Sequence, residues 1–320
     1  GLKILGATMD ATDKTKYTVG TNGLLGINGN VEKLKIQSDD ITNLSLPKSS
    51  PLLKALILVS KSSSATATAT AIDLSGLTDL ESLLIAGYSI ESLDLTKLNK
   101  LKNLGIGAWD LGANVPEVTD AFGSIPEKAS RISEVKLPAN NVIENFIVRT
   151  ATLQDGKCDF DNLPKLKKFL CQSPFFSNFT FAKSTELEIL YATAPTSGIK
   201  LNADLGNKPK LKDITFRNAT LSKFAVSNAT NVVLKDSNAG AIAVEFDNIP
   251  AAQALQYIAS KANASVTSIT LKNITISEEN LVKMIKRLQT SGGTLKVKGE
   301  LLTTAVNAAL SAKGWTGAAL

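Results

Sequence analysis

Histidine is absent from all 320 residues. Its absence removes the commonest general base and the commonest metal ligand, and with them Ser-His-Asp, Cys-His and zinc-protease chemistry. Cys158 and Cys171 are the only cysteines, too few for a disulfide framework or a four-cysteine zinc site. Aromatic residues make up 5% of the chain, so Leu, Ile, Val and Ala must build the core. Arginine occurs only at Arg131, Arg149, Arg217 and Arg287, and the net charge of +6 rests almost wholly on lysine. Nucleic-acid recognition favours arginine forks and basic clusters interleaved with aromatics, so this balance argues against a nucleic-acid partner. No apolar run approaches the ~18–20 residues of a membrane span, and no transmembrane segment is expected. The chain opens on Gly1 without a secretory signal, which reads as a processed or engineered chain lacking its export segment.

What is present is a repeat. Leu80-Glu81-Ser82-Leu83-Leu84-Ile85 and Leu101-Lys102-Asn103-Leu104-Gly105-Ile106 both read LxxLxL and start 21 residues apart. Asp73-Leu74 and Leu77 precede Asp94-Leu95 and Leu98 by the same interval. Asp159-Phe160, Leu163, Leu166, Phe169 and Cys171 lie 65 residues beyond Asp94-Leu95, Leu98, Leu101, Leu104 and Ile106, which reads as about three periods. Further copies start at Val31, Leu53, Ile132, Leu211, Ala229 and Val266. One such unit is too short to bury its own apolar side. Stacked units bury a continuous core, with each LxL triplet a short strand pointing two side chains in and one out.

These motifs resemble the leucine-rich-repeat family, more narrowly the bacterial surface type with 21-residue units found in internalin-like and BspA-like proteins. Ile90-Glu91-Ser92-Leu93-Asp94-Leu95-Thr96 is similar to that type's second half-repeat, and Leu166-Lys167-Lys168-Phe169-Leu170-Cys171 to its first. The resemblance covers residues 31–297. It implies a leucine-rich-repeat solenoid, a right-handed superhelix of the α/β class but β-rich, with a parallel sheet on one wall. It further implies a secreted or cell-surface protein, outer-membrane anchored in the manner of a lipoprotein, with adhesion as its role. The family's asparagine is replaced by Asp39, Tyr88, Trp109, Pro174, Pro195, Ala219, Ser237 and Ile274, which predicts irregular coils.

Residues 1–30 read as an N-terminal β-cap with turns at Gly20, Gly23, Gly26 and Gly29. The repeats occupy 31–297, with insertions near 60–71, 112–131 and 250–263; the first is low-complexity and reads as a protruding loop. Helices are expected over 250–263 and 278–290, the second capped by Ser277, and over 300–313. Residues 298–320 read as a C-terminal helical cap, and the whole as one continuous domain.

Candidate chemistry is sparse. Both cysteines fall at inward positions and read as small apolar residues, with a disulfide between walls the alternative. No cofactor or metal is implied, and no pair of carboxylates is singled out, so catalysis is not expected; a carboxylate-based hydrolase is the remote alternative. The informative feature is the outward column of the LxL triplets: Lys35, Ile57, Leu84, Gly105, Lys136, Leu170, Tyr191, Thr215, Val233 and Thr270. A second column two residues on includes Val59, Arg217, Lys235 and Lys272. Half of the first column is apolar, and exposed contiguous apolar surface commonly marks a partner site. Ile57, Val59, Leu84, Leu170, Tyr191 and Val233, joined by Arg217 and Lys235, are therefore the candidate contacts for a protein partner. The alternatives are that inserted loops cover these residues, or that Trp109, Tyr88, Phe175 and Phe176 at strand ends stack on a glycan.

Overall fold

The computed structural model describes residues 3–5, 7–9, 11–12, 17–19, 26–28, 30–39, 41, 43–45, 52–61, 67–68, 71–108, 127–150, 152–172, 176–193, 200–217, 220–236, 243–260, 266–290 and 292–320. The LxL triplets form one nine-stranded parallel sheet, the front wall. Its strands in order are Lys33–Gln37, Ala55–Val59, Ser82–Ala86, Asn103–Ile106, Asn145–Arg149, Lys168–Gln172, Ile189–Thr193, Asp213–Arg217 and Val233–Asp236. Leu83 pairs with Leu104 and Ile85 with Ile106, so the 21-residue spacing is one coil. The 65-residue spacing, however, is two coils and not three. Asn103 pairs with Asn145, which pairs with Lys168, and the first of these coils is long because it contains residues 109–126.

Between front strands the chain crosses to a back wall. There Tyr88–Asp94 pairs in parallel with Arg131–Lys136 and with Ala67–Thr68, and Asn43–Ser45 with Ala71–Asp73. Farther on, a six-stranded parallel sheet comprises Lys200–Asn207, Thr220–Ser227, Ala243–Asp247, Ser268–Lys272, Gly293–Val297 and Trp315–Ala319. Inward side chains of both walls make one buried cluster, with Leu83, Leu93, Leu98, Leu104, Phe146, Leu166 and Phe169 at or below 1% exposure. Cys158 and Cys171 are thiols buried in it, and burial pushes the Cys158 thiol up from its ordinary pKa.

Three local expectations change. Ala67–Thr68 is a back-wall strand and Ser60 is fully buried, so 60–71 is not simply a protruding loop; residues 62–66 and 69–70 lie outside the described residues. The segment near 250–263 is not inserted into a coil. Its helix α1 (Ala251–Ser260) connects two adjacent back-wall strands, as do α2 (Glu278–Arg287) and α3 (Thr304–Ser311) after it. The last coils thus exchange the front strand for a helix. Finally, the chain does not end in helix: Trp315–Ala319 pairs with Gly293–Val297 as the outermost strand.

Two ladders tie the coils together. Asparagines absent from the expected position recur at back-wall corners. Asn228 donates to Asn207 (2.7 Å), Asn248 to Asn228 (2.9 Å) and Asn273 to Asp247 (2.8 Å). Asn228, Asn248 and Asn273 all have positive φ, a conformation asparagine tolerates better than most residues. On the front wall, the residue just before each strand alternates in charge through eight coils: Glu32, Lys54, Glu81, Lys102, Glu144, Lys167, Glu188, Lys212. Ion pairs follow at Lys54–Glu81 (3.6 Å), Lys102–Glu81 (3.0 Å), Lys167–Glu144 (2.7 Å) and Lys212–Glu188 (2.8 Å). Each is exposed and individually worth little, but a pairing that skipped one coil would set like charges side by side.

Reversing one rung tests this. Glu81→Lys places three lysines in a row and should destabilise the fold by about 1 kcal/mol, with the loss greatest at low salt. Glu81→Ala should cost less, and chemical denaturation at two salt concentrations compares them. The hydrogen bond from Lys102, foremost, holds the Glu81 carboxyl below its usual 4.5. A depressed carboxylate stabilises the fold fully above its unfolded pKa and loses that contribution as pH falls through the folded one. Acid melts of the wild type should therefore show a loss below about pH 4.5 that Glu81→Ala partly lacks.

Candidate functional site

The outward column of the front wall follows from strand register. It runs Lys35, Ile57, Leu84, Gly105, Ile147, Leu170, Tyr191, Thr215, Lys235. Five residues of the sequence alignment fall elsewhere. Ile147 replaces Lys136, which lies on the back wall opposite Asp94. Lys235 pairs with Thr215, and Val233 sits two residues earlier, opposite Asp213. Thr270 and Lys272 belong to the back wall.

The apolar part of this column is not exposed, contrary to the sequence expectation. Ile57 (1%), Val59 (3%), Leu84 (2%) and Leu170 (2%) join Ala86, Ala108 and Ile147 in a second buried cluster on the outer side of the sheet. Alternation along a strand says which side chains leave the sheet on its outer side; it cannot say what lies over them. Packing is close: a Cβ on Gly105 would meet Leu84 Cδ1 at 2.3 Å, so Leu84 lies across the glycine between its neighbours. A polar network closes one margin. Ala108 pairs with Lys128 in an antiparallel bridge, and the buried Lys128 Nζ donates to the Ser60 carbonyl. Ser130 Oγ donates to the Ile85 carbonyl (3.0 Å) and accepts from Gly87 N (3.1 Å). Arg149 Nη1 donates to the Ala108 carbonyl (3.2 Å) and to Glu127 (3.0 Å).

The C-terminal end of the same column is open. Tyr191 packs on the edge of the buried cluster and is itself only half-buried. Burial raises its phenol pKa, and the charge of Arg217 opposes that rise. The Arg217 guanidinium carbon lies 5.5 Å from the Tyr191 ring centroid, a cation–π contact, and the Arg217 side chain is exposed. Val233 is 42% exposed, one of few large apolar side chains so placed among the described residues. Thr215 lies between them and donates to Asp213 (3.1 Å). The structure therefore brings together Tyr191 and Arg217, places Val233 and Lys235 on the same outer face one strand beyond Arg217, with Val233 opposite Asp213, and leaves Ile57, Val59, Leu84 and Leu170 in the buried cluster.

Of the aromatic residues considered for sugar stacking, the two that are described are buried. Tyr88 is fully buried, its hydroxyl donating to the Ser38 carbonyl (2.5 Å), and burial pushes its pKa up to about 12. Phe176 is 1% exposed, within a cluster of phenylalanine rings. Trp109 and Phe175 lie outside the described residues. Among the described residues, no group of three or more Cys, Asp or Glu could hold a metal ion, and no helix is long and apolar enough to cross a membrane.

No family model matches the chain, and no curated protein matches it. Among solved structures, the functional domain of InlJ from Listeria monocytogenes, described as including a cysteine ladder, is similar at 15% identity with a TM-score of 0.38. The match covers 82% of this chain and 54% of that one, so the chain spans about half the length of that structure.

Burial makes the two ends of the column respond differently to substitution. Leu84→Ala should cost about 2–4 kcal/mol, and Leu84→Glu more, since the carboxylate would be buried without a partner. Val233→Glu should change stability by less than about 1 kcal/mol. Thermal or urea melts of the three variants check this order.

Proposed function

We propose that the chain is a leucine-rich-repeat solenoid wound as a right-handed superhelix, and that it is a non-enzymatic binding protein exported to the cell surface. Its partner is a protein, and adhesion is the role that best fits the family resemblance. Recognition falls on the C-terminal end of the front wall, at Tyr191, Arg217, Val233 and Lys235. The observation that carries this reading is the exposed Arg217 guanidinium lying over Tyr191, on the same outer face that carries exposed Val233 one strand further on. Tyrosine and arginine are enriched among residues that dominate protein interfaces, and an aromatic ring beneath a guanidinium pre-sets the fork for a planar acceptor. Ile57, Val59, Leu84 and Leu170 are buried and are not proposed as contacts.

A binding screen of the purified chain against extracellular proteins and a glycan panel tests the reading. A protein ligand should bind at least about tenfold more weakly to Arg217→Glu and to Val233→Glu, both still folded. Protein binding unaffected by either substitution would remove the site from this wall. Binding to glycans alone would contradict a protein partner.

A further inference from the structure

The helices of the last coils carry a second surface. Helix α1 has no charged residue in its sequence, AAQALQYIAS. Helix α2 packs along α3, but between α1 and α2 a groove of about 500 Å³ remains. Its lining is Leu255, Gln256 and Ala259 from α1, and Asn280, Lys283, Met284 and Arg287 from α2. Leu255 and Ala259 are half-buried and Met284 is 3% exposed, so the floor is apolar. Methionine is a flexible, polarisable lining that adapts to varied side chains.

The rim is cationic. Lys283 is held by Glu279 at 2.5 Å, one turn back on the same helix, so that pair contributes little net charge. Glu278 lies at the far N-terminal end of α2. Arg287 makes no ion pair or side-chain hydrogen bond among the described residues, and exposed Lys286 adjoins it. Both charges favour the carbonyl end of α2, but that role needs only a positive charge and Lys would serve it equally. What Arg adds at 287 is a planar fork of donors suited to a carboxylate.

We propose that the α1–α2 groove docks an acidic peptide segment, seating one apolar side chain against Leu255 and Met284 and a carboxylate on Arg287. The charge complementarity is one-sided: among the described residues the groove lining contains no acid, and Glu279 next to it is already paired with Lys283. A groove between two helices with an apolar floor fits a short peptide anchored by one side chain. This site is separate from Tyr191 and Arg217 on the front wall.

The test uses the full chain and an array of blocked, fluorescein-labelled octapeptides. Each carries one leucine or phenylalanine flanked by glutamates, with lysine-flanked peptides as matched controls. Fluorescence polarisation at low salt should show the glutamate peptides binding at least about tenfold more tightly than the lysine peptides. Arg287→Glu should abolish that preference, and Arg287→Lys should weaken glutamate peptides severalfold while leaving the melting temperature unchanged. Ala259→Glu should block binding of both. Arg217→Glu should leave the array unchanged, which keeps this outcome distinct from that of the front wall. Glutamate peptides binding no better than lysine peptides, or an Arg287→Glu variant that keeps the preference, would overturn the proposal.

Discussion

Parallel strand register is the constraint on which the rest of the structure depends. Side chains alternate along a strand, so one coil slipped by a single residue against the next would turn its whole inward set toward solvent. The pairings Leu83 with Leu104 and Phe146 with Phe169 keep inward positions stacked from coil to coil. The asparagine corners on the back wall and the alternating charges on the front act on the same degree of freedom. Each is weak alone, and their sum is a chain of neighbour contacts, as expected when a repeat protein's stability is spread over interfaces between units.

The same register that builds the core also fixes what the outer surface can be. Ile57, Leu84, Ile147 and Leu170 are neighbours because their strands are, and their stacking produces a second apolar cluster outside the sheet. Tyr191 marks its margin. Beyond it the column turns to Thr215 and Lys235, with Arg217 and Val233 alongside. The front wall is therefore divided, buried in its middle and open toward the helical end. The transition from front strands to helices α1, α2 and α3 begins immediately after the open part. Both proposed surfaces thus lie in the half of the molecule where the front wall changes character.

Much of the fold was legible in sequence because LxL spacing reports directly on stacking. Leu83 to Ile85 and Leu104 to Ile106 are nearly identical neighbours, and the structure pairs them. The reading failed where two frames fit equally well. Ile132-x-x-Val135-x-Leu137 and Ile143-x-x-Phe146-x-Val148 both satisfy LxxLxL, because both walls need apolar residues at alternate positions. Only pairing shows that the second is the front strand. At the last front strand, the frame ending in Val232 and Leu234 is the more apolar, yet Leu234 and Asp236 are the pair in register with Ile214 and Phe216. An acidic residue at the register position of Phe216 hid the frame. The candidate site was half legible: the column was found, but burial of its apolar part depends on what packs above the sheet. The α1–α2 groove left no signal in the repeat pattern, since it is lined by side chains of two helices that lie outside the LxL frame.

The division of the front wall is most directly tested by thiol accessibility. Single cysteines would be placed by Leu84→Cys and Val233→Cys, with the native Cys158 and Cys171 buried in the folded chain. Labelling by a maleimide under native conditions should be fast for Val233→Cys. For Leu84→Cys it should be slow, at a rate that rises only when denaturant unfolds the protein. Equal, fast labelling at both positions would show an open wall and contradict the account.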